Sequence, residues 1–98
     1  MHPNLMHPST GVIVTGGASG IGLASAQALA AVGRPIALWD INGARAQAEA
    51  SLIATEFGVP ATGLAVDLSR PDLYADAITR SRETLGTIGA FVHAAGVV

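Results

Sequence analysis

The sequence predicts an α/β fold built on a doubly wound parallel sheet. Three observations carry that expectation. Short apolar runs alternate with stretches in which apolar residues recur at helical spacing, giving the pattern β-α-β-α-β-α-β. Each strand-like run is nearly continuous rather than alternating, as expected where both faces of a sheet are covered. Each helix-like stretch also falls between two strands, where it supplies the crossover that parallel neighbours need. Right-handed crossovers then favour four strands in the order 3-2-1-4, an incomplete version of the six-stranded arrangement.

Residues 1–10 contain two prolines and no periodicity, and are expected to form a flexible leader. The domain portion is residues 11–98. Val12-Ile13-Val14 reads as the first buried strand and ends at a glycine cluster. Ile21, Ala24, Ala28 and Val32 then recur at helical spacing, with Gly33 at the C-cap position and Arg34 placed to suit the helix dipole. Ile36-Ala37-Leu38-Trp39 forms the second strand and stops at Asp40. Asn42 can cap a second helix whose apolar face is Ala46, Ala50, Ile53 and Phe57, closed by Gly58. Leu64-Ala65-Val66 is the third strand, ending at Asp67. Ser69 and Asp72 have capping-box spacing, with Pro71 in the first turn of a helix that buries Tyr74, Ile78, Ser81 and Leu85. Gly86 stops it, and Phe91-Val92 begins a fourth strand.

Composition narrows the function classes. Half of the 98 residues are hydrophobic and only 12% are charged, which excludes intrinsic disorder. So apolar a composition in so short a chain resembles the interior of something larger. The net charge of −2 argues against a nucleic-acid partner, which clustered Lys and Arg would bind. All five basic residues are Arg, and the chain has neither Lys nor Cys. That removes disulfides, thiolate chemistry and cysteine-ligated zinc, and suits a reducing, cytoplasmic location. The span 11–33 lacks charge, and Ala24-Ser25-Ala26 has the form of a signal-peptide cleavage site. The leader, however, has no Lys or Arg, and Gly16, Gly17, Gly20 and Gly22 interrupt the apolar run. Neither secretion nor a membrane partner is therefore expected.

The chemistry is concentrated in Thr15-Gly16-Gly17-Ala18-Ser19-Gly20-Ile21-Gly22, between the first strand and the first helix. Glycine is needed where a strand turns sharply into a helix, and where backbone must approach a pyrophosphate with no Cβ in the way. The helix then presents its free N–H groups and positive dipole end to the phosphates. Asp40 lies eighteen residues beyond Gly22 at the tip of the second strand, where a carboxylate can accept both hydroxyls of a ribose. Together these features predict a Rossmann-type dinucleotide site. A P-loop would need Lys and is excluded. A methyltransferase with a similar sheet fits less well, because its glycine turn is usually spaced more tightly.

Thr15-Gly16-x-x-x-Gly20-x-Gly22 resembles the TGxxxGxG fingerprint of the classical short-chain dehydrogenases/reductases. The extended branch carries TGxxGxxG, and here that position is Ser19. The resemblance continues through Asp40, Asp67-Leu68 and Ala95-Gly96. It implies that Gly16, Ser19, Gly20, Ile21 and Gly22 line the phosphates and adjacent ribose. It implies further that Asp67 and Leu68 contact the adenine edge, and that Ala94, Ala95 and Gly96 lie against the cofactor near the nicotinamide ribose. Asp40 would repel a 2′-phosphate, while Ser19 and Ile41 are neutral where NADP-preferring members often carry Arg or Lys, so the implied cofactor is NAD. The chain departs from the usual Asn-Asn-Ala-Gly in reading His93-Ala94-Ala95-Gly96. Ala94 cannot bridge neighbouring strands as an Asn amide would; His93 is expected to be a satisfied core histidine at a strand end.

The same resemblance implies hydride transfer between the cofactor and an alcohol or carbonyl substrate, through a Ser and a Tyr-x-x-x-Lys pair. The only tyrosine is Tyr74, and Ile78 stands where its Lys would be. No catalytic residue is therefore expected within the chain, nor a metal site, since His2 and His7 lack further ligands. The chain reads as the N-terminal portion of an NAD-dependent dehydrogenase, a fragment or truncated frame, expected to be inactive and poorly soluble alone and homo-oligomeric when complete. The alternative is a non-catalytic NAD-binding module for sensing or assembly. A Ser followed by Tyr-x-x-x-Lys beyond Val98 would favour the enzyme.

Overall fold

The computed structural model describes residues 9–94. Four strands, β1 (Gly11–Thr15), β2 (Ile36–Asp40), β3 (Ala61–Ala65) and β4 (Ile88–His93), alternate with helices α1 (Gly20–Ala31), α2 (Gly43–Phe57) and α3 (Tyr74–Leu85). The sheet is parallel throughout, in the order β3-β2-β1-β4. This is the expected topology. Because the chain leaves β1 for β2 and β3 on one side and returns to β4 on the other, the strand order reverses between β1 and β4.

Two cores form on the two faces of the sheet. Val12, Val14, Ile36 and Leu38 pack with α1 and α2 through Ala26, Ala30, Ala46, Ala50 and Ile53. Ile13, Ala37, Trp39 and Leu64 pack with α3 through Ala77 and Leu85. Successive residues of a strand point to opposite faces, so residues 12–14 of β1 and 36–39 of β2 are apolar at successive positions and serve both cores. β1 is buried along its whole length.

The helical face expected for α1 is corrected. Gly22, Ala26 and Ala30 are buried, whereas Ile21 is 78% exposed, Val32 is 48% exposed, and Ala24 and Ala28 are exposed. Every position from Gly20 to Ala31 except Ser25 and Gln27 is apolar or glycine, so hydropathy could not choose a face. The close approach at Gly22 does: a Cβ there would stand 2.2 Å from the Gly16 carbonyl oxygen, and Ala26 and Ala30 follow Gly22 on the same face at helical spacing. For α2 the expected face holds, with Ala46, Ala50 and Ile53 buried and Phe57 packed beside them.

Local differences have local causes. β3 begins three residues earlier than expected, at Ala61, and β4 begins at Ile88 rather than Phe91. β4 also alternates between half-buried and exposed residues, because it is an edge strand and the α3 side does not cover it. Phe91 is 46% exposed there. Ser69 does not cap a helix; its amide and hydroxyl both donate to Asp67 Oδ1, and a short 3-10 turn over Pro71–Leu73 leads into α3. Arg34 serves the leader rather than the helix dipole. Its Nε donates to the Thr10 carbonyl at 3.0 Å and its Nη2 to Thr10 Oγ1 at 3.1 Å. Leader residues 1–8 lie outside the described residues. No helix among the described residues is long and apolar enough to cross a membrane.

Candidate functional site: the glycine turn and the strand tips

The turn between β1 and α1 depends on glycine at distinct places for distinct reasons. Gly16 and Gly20 have φ of 67° and 58°, the left-handed region that residues with a Cβ seldom adopt. At Gly22 the constraint is space: a Cβ there would stand 2.2 Å from the carbonyl oxygen of Gly16. α1 therefore starts directly against the turn that precedes it.

The hydrogen bonds of this turn divide its amides into two groups. Gly16 and Gly17 donate to the Trp39 carbonyl at 2.7 and 3.2 Å, and Ala18 donates to Asp40 Oδ2 at 3.2 Å. Leu23 makes the first intrahelical bond, to the Ser19 carbonyl. Between them, the amides of Ser19, Gly20, Ile21 and Gly22 have no acceptor among the described residues. Ser19 sits at the N-cap in an extended conformation with no side-chain capping bond, so nothing local satisfies those donors. Four unpaired N–H groups at the positive end of a helix form a receptacle for an anion.

Asp40 ends β2 beside this receptacle. Its Oδ1 accepts from the Asn42 amide at 3.0 Å, so the carboxylate bridges the glycine turn and the entry to α2. Ile41, next along, is 75% exposed. Val66 continues the pairing with β2 by donating to the Asp40 carbonyl, which sets Asp67 beyond the tip of β3 at the same edge of the sheet. The Ser69 hydroxyl and then the Ser69 amide hold the Asp67 carboxyl below its ordinary range, with a smaller contribution from Arg70 and a small opposing effect of desolvation. Leu68 is half-buried against the α3-side core, and its carbonyl accepts the Tyr74 hydroxyl.

At the tips of β1 and β4, Thr15 pairs with His93. Thr15 Oγ1 lies 3.0 Å from His93 Nδ1, and the Ala94 amide donates to the Thr15 carbonyl at 3.2 Å. His93 is an exposed residue rather than a core histidine, because its side chain leaves the bare face of β4. It nonetheless ties two strands across the point where the strand order reverses. Ala95 and Gly96 lie outside the described residues. No cluster of three or more metal-ligating side chains occurs among the described residues.

The glycine turn, Asp40, Asp67 and Ala94 thus gather at the C-terminal edge of one parallel sheet. Comparison with known proteins places that arrangement in context. The short chain dehydrogenase family matches residues 10–98. The chain belongs to the short-chain dehydrogenase family. It is 34% identical over 86 residues to 2-(S)-hydroxypropyl-CoM dehydrogenase 3 of Xanthobacter autotrophicus, covering 88% of this chain and 33% of the relative. It is 38% identical over 86 residues to 2-dehydro-3-deoxy-L-rhamnonate dehydrogenase (NAD(+)) of a Sphingomonas species, covering 87% and 32%. Among solved structures it superposes with L-sorbose reductase from Gluconobacter frateurii, complexed with NADPH and L-sorbose. That match has a TM-score of 0.83 and 30% identity, over 91% of this chain and 34% of the other. The chain spans about a third of the length of these relatives.

Against the short-chain dehydrogenase pattern, two contributors escaped the sequence reading. The Trp39 carbonyl holds Gly16 and Gly17, and the Ala18 amide holds Asp40. Both act through backbone, which leaves no trace in residue type. Tyr74 is a packing residue: its ring lies 5.8 Å from that of Trp39 and its hydroxyl is committed to Leu68.

Proposed function

We propose that this chain is the dinucleotide-binding part of a short-chain oxidoreductase, that it prefers NAD(H), and that the residues completing the reaction on an alcohol or carbonyl lie outside it. The observation that carries this reading is the set of four amides at Ser19–Gly22 without an acceptor among the described residues, at the start of a helix that Gly22 lets pack directly against the Gly16 carbonyl. These residues fit a diphosphate: the donors are backbone, the helix end is positive, and Ser19, Gly20 and Ile21 are exposed. Gly16, Ser19, Gly20, Ile21 and Gly22 would hold the phosphates and adjoining ribose. Asp67 and Leu68 would meet the adenine edge, and Ala94, Ala95 and Gly96 the nicotinamide ribose. The nicotinamide ring would supply the hydride chemistry.

The NAD(H) preference rests on charge. Asp40 stands at the end of β2, where a 2′-phosphate would meet a carboxylate, and Ser19 and Ile41 offer it no cation. Relatives of both kinds exist: the Sphingomonas enzyme is named for NAD(+), and the L-sorbose reductase was crystallised with NADPH. The absence of Cys suits a reducing cytoplasm.

A second reading, a non-catalytic dinucleotide-binding module, draws on the commitment of Tyr74 to Leu68 and to packing on Trp39. Titrating the chain with NADH and with NADPH, followed by nucleotide fluorescence, tests what the two readings share. NADH binding the more tightly is expected; equal or tighter NADPH binding would overturn the cofactor preference. Failure of both to bind would overturn the dinucleotide site itself.

A further inference from the structure

Asp40 makes contacts that ribose recognition does not require. Its two carboxylate oxygens are each occupied by a backbone amide, Oδ2 by Ala18 and Oδ1 by Asn42. The Ala18 bond joins residues 22 apart in sequence and closes the last gap between the tip of β2 and the glycine turn. The Trp39 carbonyl, one residue earlier, has already taken the amides of Gly16 and Gly17. Three consecutive amides of the turn are thus drawn back toward β2, and the next four have no acceptor among the described residues.

Without a partner on Ala18, the turn would be fixed by the amide bonds of Gly16 and Gly17 and by the packing of the Ala18 methyl in the core. Those restraints leave the peptide between Gly17 and Ala18 without a hydrogen bond to set its direction, and glycine permits several. The carboxylate removes that freedom, because Ala18 is itself buried and its amide has no access to water as a substitute. A neutral acceptor in the same place would serve equally well, since geometry rather than charge aims the turn.

We infer that Asp40 is a positioning residue for the anion receptacle as well as a candidate ribose ligand: by accepting from Ala18 it aims the amides of Ser19–Gly22. The inference rests on the proposed dinucleotide site for its ligand consequence, but its structural core is independent of any ligand. It separates two properties of one side chain. The charge would discriminate against a 2′-phosphate; the acceptor oxygen keeps the turn in shape for both nucleotides.

The test compares Asp40→Asn with Asp40→Ala in the full 98-residue chain. Amide hydrogen exchange at Ala18 is measured by NMR relative to Ile13 in the centre of β1, so that a general loss of stability cancels. Asp40→Ala is expected to speed relative exchange at Ala18 roughly tenfold, the scale of one hydrogen bond, while Asp40→Asn stays near the parent. In parallel, Asp40→Ala should weaken both NADH and NADPH, whereas Asp40→Asn should weaken NADH and retain or improve NADPH. Unchanged relative exchange at Ala18 in Asp40→Ala would overturn the inference, as would NADPH binding at least as tightly to Asp40→Ala as to Asp40→Asn. If neither nucleotide binds the parent chain, the proposed function falls, and the exchange contrast still decides the role of Asp40 in the turn.

Discussion

Trp39 Nε1 donates to Ser81 Oγ at 2.9 Å, joining β2 to α3 with both side chains sealed from water. The indole also meets Phe91 edge-on at 5.3 Å and Tyr74 at 5.8 Å. Ser81→Ala would leave a buried indole N–H with no acceptor, at a cost of about 1–3 kcal/mol. The expected result is an earlier urea midpoint with unchanged slope. Ser81→Thr, which keeps the hydroxyl, should lose less.

Gly22→Ala should be severe for so small a change. The added methyl would lie 2.2 Å from the Gly16 carbonyl oxygen, and backbone rather than a flexible side chain must move to admit it. Overpacking of this kind costs about 1–3 kcal/mol. Because the displaced atoms belong to the turn itself, NADH affinity should fall further than stability, which parallel urea and NADH titrations would reveal.

The buried face of α1 can be tested by exchanging size. Ala26→Leu and Ala30→Leu place large side chains against the sheet and should each cost about 1–3 kcal/mol. Val32→Ser and Ala28→Ser lie on the open side and should change stability by no more than about 0.5 kcal/mol. Equal effects on the two sides would contradict the arrangement described.

Asp67 links the loop after β3 to acid. Its carboxyl is held below the ordinary range by Ser69, so it gives up its proton more readily when folded than when unfolded. Its contribution is therefore fully present above the unfolded value, about 3.9, and is lost as pH falls from there through the folded value. Ser69→Ala should move the Asp67 titration upward, followed by NMR of the side-chain carboxyl carbon, and should flatten the loss of stability over that acid range.

Much of the fold was legible because the centres of β1 and β2 serve two cores at once, which makes the runs 12–14 and 36–39 unbroken in apolar residues. The glycine turn and Asp40 were legible because positive φ, close approach and a terminal carboxylate each demand a residue type. The face of α1 was not, since nearly all of its residues are apolar and alanines lie on both its buried and its exposed sides. The box of Ser69 and Asp72 failed for another reason: Asp67, two residues upstream, offers Ser69 a nearer and charged acceptor. The anchor on Thr10 was hidden because Arg34 is a helix-end residue by sequence and a strand-side donor in space. The roles of Trp39 and Ala18 in the turn left no signature at all, being carried by atoms that every residue has.

The contact of α1 with the sheet through Gly22, Ala26 and Ala30 has a consequence for how steadily the helix is held. None of these three residues has a side-chain torsion that could relocate a heavy atom, so their burial freezes no rotamers and incurs almost no configurational entropy. Along that line the height of the helix above the strands is set on the helix side by methyl groups and main chain, with Leu23 and Leu29 packing beside it. Warming the molecule cannot populate alternative side-chain states at Gly22, Ala26 or Ala30, because there are none to populate.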